Sequence, residues 1–211
     1  MWRGSAPRPL LLRVRWLKRR PAKPVASPAP AAARPTELRT SHLVLRPLQG
    51  TDIDALHALW TQRGVRRYLW DDRVLSAEQT RDAVMQSAWW FEHQGYGLWG
   101  AYDADGALAG FCGYGFFRDE HELELLYGVA EDQWMKGYAR EMAEAMVAYG
   151  FDTLHLVEIR ATTDLPNVAS QRTLKRQGFV GDASRKAADG KLYFRLPRER
   201  RDDGGDGWEA A

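Results

Sequence analysis

A chain of 211 residues with 45% hydrophobic content suits one domain with a true core plus appendages. Its single cysteine, Cys112, excludes an intrachain disulfide and a cysteine metal cage, and no apolar run approaches the roughly 18 residues that cross a bilayer, so a soluble cytoplasmic protein is expected. The net charge of +2 conceals an asymmetry: nine of the 30 Lys and Arg and none of the acids lie in residues 1–36, which leaves 21 bases against 28 acids in the rest.

Residues 1–36 also hold seven of the ten prolines, and VASPAPAAARP reads as an extended linker with no fold of its own. The basic arm suits ribosomal RNA or an anionic lipid surface, and PLLLRVRWLKRRPA has some features of a transit peptide; a disordered extension is the expected state. The folded domain is expected over 37–197, and 198–211, rich in Arg, Asp and Gly, is expected to be a flexible end.

Leu43 and Leu45 alternate in a first strand, and Thr51-x-x-Asp54 sets a capping box beside Ile53, Leu56 and Trp60 at helical spacing. Ser76-x-x-Gln79 caps a second helix that stops near Gly95. A strand over 98–102, a hairpin turn at Asp105-Gly106 and a strand over 108–117 follow, then a fourth strand over 122–129. Met142, Met146 and Tyr149 line one helix face, 157–162 is a fifth strand, 169–177 is a helix closed by Gly178, and 191–196 is the last strand. The fold class is α/β.

The most informative stretch is ELLYGVAEDQWMKGYA over 124–139: a strand, an acidic turn, then a glycine-and-alanine step into a helix. Such a start presents unpaired backbone N–H groups and roughly half a positive charge, which favours a phosphate. No G-x-x-x-x-G-K-[ST] run occurs, and the glycine-rich 106–115 does not fit G-x-G-x-x-G opening a helix. What remains, Trp134-Met135-Lys136-Gly137-Tyr138-Ala139, fits x-x-x-G-x-[GA]. Gly137 lets the backbone approach a pyrophosphate, Ala139 keeps the next turn slim, and Lys136 adds a charge.

About thirty residues further on stands Asn167-Val-Ala-Ser170-Gln-Arg-Thr-Leu174-Lys-Arg-Gln-Gly178-Phe179. Together with LRTSHLVLRPL, GYGLWGAYDADGALAGFCGY and the cradle step, this gives four motifs in order. Over 37–197 the chain resembles the GNAT N-acetyltransferases, specifically the RimJ/RimL-like branch that modifies ribosomal-protein N-termini. The resemblance implies the GNAT fold, a mixed, mostly antiparallel sheet of about six or seven strands splayed between its fourth and fifth, with about four helices. It also implies acetyl-CoA as co-substrate. Amides from Trp134 through Met135, Lys136, Gly137 and Tyr138 to Ala139 would hold the pyrophosphate. The strand end from Tyr127 to Val129 would hold the pantetheine arm and polarise the thioester carbonyl, and Asn167 and Ser170 would line the sulfur end. Trp134 stands where many members carry Gln or Arg, and Met135 where the branch often has Gly; both side chains are expected to point away from the cradle.

An attacking amine must be neutral. At pH 7 deprotonation costs about 4.6 kcal/mol for a lysine of pKa ~10.4 but about 1.2 kcal/mol for an α-amine near ~7.9, so a base matters most for lysine. Glu122 and Glu124 share one face of the fourth strand, and Glu124 matches a glutamate kept in several acetyltransferases of the superfamily. It is the candidate base, through a water, worth about 10²–10⁴ in rate; the alternative is a pair of solvated strand charges. The tyrosine that many members use to protonate the leaving thiolate is Leu174 here. That leaves Ser170, a bound water or direct release, and Ser170 can instead orient the sulfur or cap its helix. Catalysis would then be mostly positioning and carbonyl polarisation.

Cys112 lies in an apolar strand and reads as a buried structural thiol. His155 reads as a surface or packing residue, and His42, His57, His93 and His121 lack ligand spacing, so no metal site is expected. Trp60, Trp70, Trp89, Trp90 and Trp99 should be mostly core, with Trp70 and Tyr68 placed by the resemblance near the acceptor cleft. The leading function is acetyl transfer from acetyl-CoA to a primary amine in a ternary complex, the acceptor being a protein N-terminus, a small-molecule amine or a lysine. The alternatives are an acyl-CoA-binding sensor that has lost catalysis, and a ribosome- or RNA-binding protein that uses the tail. No nucleic acid or membrane partner is expected for the body, as monomer or homodimer.

Overall fold

Eight strands form one sheet among residues 35–115, 123–185 and 190–202, the residues that the computed structural model describes. In chain order they are β1 (Leu38–Arg39), β2 (Val44–Pro47), β3 (Leu98–Tyr102), β4 (Leu108–Gly115), β5 (Glu124–Val129), β6 (Glu158–Asp164), β7 (Val180–Gly181) and β8 (Lys191–Pro197). In space they run β1-β2-β3-β4-β5-β6-β8-β7. β1 to β5 are antiparallel, with β4 against β5 in register from Gly110↔Val129 to Gly115↔Glu124. β6 and β8 are antiparallel from Glu158↔Pro197 to Asp164↔Lys191. Between these halves β5 and β6 are parallel and meet in one registered pair, Glu124↔Arg160, which is the expected splay. The two-residue β1 and β7 are too short for an alternation to show.

Helices cover both faces of β4, which is why LAGFCGYG reads as apolar throughout and is buried from Ala109 onward. Phe111 faces α1 (Ile53–Thr61) and meets Trp60 edge-on at 5.5 Å. Its neighbours face α4 (Tyr138–Ala148): a Cβ on Gly110 would lie 3.1 Å from the Met142 side chain, and the Tyr114 hydroxyl donates to the Met146 carbonyl at 2.7 Å. Trp60, Trp90 and Trp99 are fully buried, as expected.

The start of α1 differs from expectation. A 3-10 turn, Gly50–Asp52, precedes it, and Asp52 rather than Asp54 takes the reciprocal bond, accepting from the Gln49 N–H at 2.8 Å and from both arms of Arg46 at 2.9 Å. Burial raises the Asp52 pKa, but the Arg46 and Gln49 donors and the Tyr102 hydroxyl outweigh it and hold the carboxyl below the usual carboxylate range. Its contribution to stability is therefore present above the unfolded pKa of about 3.9 and lost as pH falls through the folded value. Urea unfolding at pH 6 and pH 3 should show an acid loss that is smaller in Asp52→Asn; equal losses would mean the group does not set the acid sensitivity.

After α1 the chain breaks at Gln62 and forms α2 (Arg63–Leu69), which the sequence did not announce. The expected box opens α3 (Ala77–Gln94): the Gln79 N–H donates to Ser76 Oγ at 3.2 Å, the Ser76 N–H to Gln79 Oε1 at 2.8 Å, and Gly95 closes the helix at φ 82°. Gly106 takes φ 76° in the hairpin. Tyr149, expected on the α4 face, lies in a π-helical turn, Tyr149–Thr153, that follows the helix. α5 (Val168–Arg176) ends before Gly178 at φ 85°. Arg198–Asp202, expected to be loose, is a short helix, α6; Arg198 donates to the Leu156 carbonyl and Arg201 pairs with Asp152 at 2.6 Å. The basic tail through residue 34, the end of the third predicted strand, His121, Glu122 and residues 203–211 lie outside the described residues.

Candidate active site

Past Glu124↔Arg160, β5 and β6 diverge and a cleft of about 560 Å³ opens between them. Opening a sheet from within leaves main-chain donors and acceptors along the inner edge of β5 without a strand partner, so polar main chain borders a cleft whose side chains are mostly apolar. β5 lines it from Leu125 to Val129 and β6 contributes Ala161, Thr162 and Thr163.

α4 begins at the mouth. Gly137 is its N-cap at φ 85°, and a Cβ built there meets nothing within 4 Å, so the space above the helix start is open. Tyr138 and Ala139 line the cleft at that start, whereas Lys136 does not border it. The Arg140 and Glu141 N–H groups donate to the Gly137 carbonyl at 3.0 and 3.2 Å, so the N–H groups ahead of them, those of Tyr138 and Ala139, precede the helical ladder. Lys136 Nζ donates to Gln133 Oε1 at 2.7 Å. Met135 has φ 67° and a fully exposed side chain, a left-handed position that explains why glycine suits it. Trp134 does not point away as expected. Its indole N–H donates to the Val129 carbonyl at 2.9 Å and its ring lies over Gly64, where a Cβ would come within 2.4 Å of Cη2. Both Trp134 and Met135 border the cleft.

The start of α5 forms the facing wall. Asn167 is its N-cap, accepting from the Ser170 N–H at 3.2 Å, so the cap is Asn167 and not Ser170. The Ser170 hydroxyl lies 3.0 Å from that of Tyr127. Glu124 is 4% exposed and is not on the wall; Thr162 is, and its hydroxyl donates to Glu124 Oε1 at 3.2 Å. The carboxylate therefore stands one hydroxyl behind the surface. Tyr68 lines the cleft, whereas Trp70 turns inward onto Trp60 at 5.1 Å. Cys112 is fully buried and burial pushes its thiol pKa up, which makes it a poor nucleophile. His155 is exposed, and no group of three or more metal-ligating side chains occurs among the described residues.

Four contributors carry no mark in the sequence. Arg140 and Arg176 are the charged side chains on the wall among the described residues, and nothing marked them out from other helical arginines. Gly64 and Val65 come from α2. The Gly64 N–H donates to Glu131 Oε1 and the Glu131 N–H donates to Gln62 Oε1 at 2.8 Å, so the turn before α4 is tied to the start of α2. Glycine is required at position 64 because the Trp134 ring occupies the place of its side chain, a contact that no local pattern around Gly64 announces.

The profile of the acetyltransferase (GNAT) domain matches residues 42–180. The uncharacterized N-acetyltransferase YoaA of Bacillus subtilis (strain 168) is 30% identical over 144 residues, covering 67% of this chain and 81% of that protein. Among solved structures, the acetyltransferase from Agrobacterium tumefaciens str. C58 superposes with a TM-score of 0.67 at 23% identity, over 77% of this chain and 94% of that one. A spermidine N-acetyltransferase from Vibrio cholerae, solved with CoA and spermine, superposes with a TM-score of 0.62 at 18% identity, over 76% of this chain and 98% of that one. The described residues contain no helix long and apolar enough to cross a membrane.

Proposed function

The chain belongs to the GNAT acetyltransferase family, and on that premise we propose that it transfers the acetyl group of acetyl-CoA to a primary amine by direct attack in a ternary complex. The observation that carries this reading is the open cleft between β5 and β6, with the start of α4 at its mouth and unfilled space above Gly137. The Trp134 N–H donates to the Glu131 carbonyl at 3.4 Å, so within the expected span from Trp134 to Ala139 it is the N–H groups from Met135 to Ala139, with the side chain of Arg140, that suit the pyrophosphate. The main chain of β5 from Tyr127 to Val129 suits the pantetheine amides and the thioester carbonyl, with Asn167 and Ser170 at the sulfur end.

The amine nitrogen attacks the carbonyl carbon, a C–N bond forms, the C–S bond breaks, and its electron pair leaves on sulfur. The proton lost by nitrogen goes toward Glu124 through the Thr162 hydroxyl or a water in its place. The acceptor class in this proposal is a protein N-terminus or a small-molecule amine: the former follows from the RimJ/RimL-like resemblance, and a polyamine is the substrate named for the Vibrio cholerae structure.

Thiol release measured with DTNB across a panel of amines and N-terminal peptides tests the reading. Acceptor-dependent release is expected, slowed by about 10²-fold or more in Glu124→Gln at unchanged acetyl-CoA affinity. Acetyl-CoA binding without turnover on any acceptor would replace the transferase with an acyl-CoA-binding module, and no binding at all would overturn both.

A further inference from the structure

One pair of half-buried hydroxyls on the cleft wall, those of Tyr127 and Ser170, has no part in the proton path from the amine. Tyr127 alternates with Gly128 along β5, so its ring lies on the face toward α4 and α5, opposite the face where Gly128 abuts Phe111. Its hydroxyl reaches the first turn of α5, 3.0 Å from Ser170 Oγ and 3.2 Å from the Ser170 carbonyl oxygen. Both residues line the cleft, as do Leu125 of β5 and Ala161 of β6. Asn167 Oδ1 holds the Ser170 N–H at 3.2 Å, so the serine backbone is fixed independently of the tyrosine.

A phenol has one hydrogen to give. Given to the carbonyl, it would leave the phenol oxygen to accept from Ser170, and the serine hydrogen would be occupied. Given to Oγ, it leaves the serine hydrogen free to point into the cleft. The Ser170 carbonyl lies inside α5, where the helical ladder already supplies a donor four residues on, while Oγ is the nearer acceptor.

We propose that Tyr127 is a positioning residue that donates to Ser170 Oγ and thereby presents the Ser170 hydroxyl hydrogen to the sulfur of CoA as it leaves. The inference rests on the acetyl-transfer reading of this cleft. When the C–S bond breaks, the electron pair on sulfur accepts that hydrogen bond, both protons remain on the pair, and the thiolate takes its proton from solvent on release. A donor matters here because a thiolate among apolar side chains loses its hydration, and hydrogen bonds to an ion are about twice as strong as neutral ones. Burial pushes the Tyr127 phenol up to about 12, against the opposing pull of the Ser170 and Thr173 hydroxyls, so it remains a neutral donor at working pH.

The test reads the bound product, which needs no acceptor. CoA is bound to wild type, Tyr127→Phe, Ser170→Ala and the double variant, with affinity from calorimetry and the pKa of the bound thiol from thiolate ultraviolet absorbance. Wild type should lower the bound thiol below the pKa of free CoA measured in the same buffer. Each single variant should raise it again, and the double variant should go no further than Ser170→Ala. In turnover, each single variant should lose about 10-fold in kcat with KM for acetyl-CoA unchanged, again without additivity. Tight CoA binding with a thiol pKa unmoved by Tyr127→Phe, or additive losses, overturns the positioning role alone. No CoA binding by wild type overturns the acetyl-transfer reading and this proposal with it.

Discussion

Gly137→Asp is expected to raise the Kd for acetyl-CoA by at least about 100-fold while the protein stays folded. Gly137 sits at φ 85°, where any L-residue costs about 1 kcal/mol, and a Cβ there meets no neighbour, so the substitution strains the backbone without a clash. A carboxylate at the start of α4 also returns about 0.3–1 kcal/mol through the helix dipole. Against a bound phosphate at about 4 Å, like-charge repulsion at an effective dielectric of about 20 is about 4 kcal/mol, close to three decades in affinity. Gly137→Ala, which carries only the strain, should stay within about 10-fold of wild type. Calorimetry with acetyl-CoA and a thermal melt on both variants decide the matter, and an aspartate variant that binds like wild type would remove the anion from this helix start.

That prediction was available from sequence because the cradle is main chain: a glycine that must take positive φ before a helix is visible in one dimension. The same holds for Ser76 and Gln79, whose reciprocal bonds span three residues. The splay was not visible in the residues themselves, since alternation along 124–129 tells which face a side chain takes and not where a neighbouring strand lets go. α2 was hidden because RGVRRYL buries only Val65 and so has no apolar stripe. Trp134 was misplaced for a related reason. Its indole is held by Val129 and by the emptiness of Gly64 some seventy residues earlier, and nothing local to WMKGYA encodes that pocket. Glu124 shows the division within one residue: its chemistry was legible, but its seat behind Thr162 depends on β6, which joins it across the single registered pair.

Lys191→Met is expected to destabilise the fold by about 3 kcal/mol, the lower end of the range for breaking a buried ion pair by removing one partner. Lys191 opens β8 in register with Asp164 at the end of β6, and its side chain is 9% exposed. Its ammonium bonds the Asp164 carboxylate, itself 18% exposed, and reaches Asp71 at 2.9 Å. Asp71 is 75% exposed and adds little to stability, so the cost falls on Asp164, whose carboxylate keeps its burial and loses its cation. Lys191→Met combined with Asp164→Asn should therefore recover most of the loss. Asp71 carries the second consequence. It sits at φ 52° in the chain leaving α2, three residues after Tyr68 of the cleft wall, and Lys191 ties that segment to the β6 and β8 ends. Loosening it should raise KM for the acceptor and leave acetyl-CoA affinity, which the proposed site assigns to the start of α4, unchanged. Urea unfolding gives the first number and steady-state kinetics the second. A single variant within about 0.5 kcal/mol of wild type would mean that water satisfies Asp164 without Lys191.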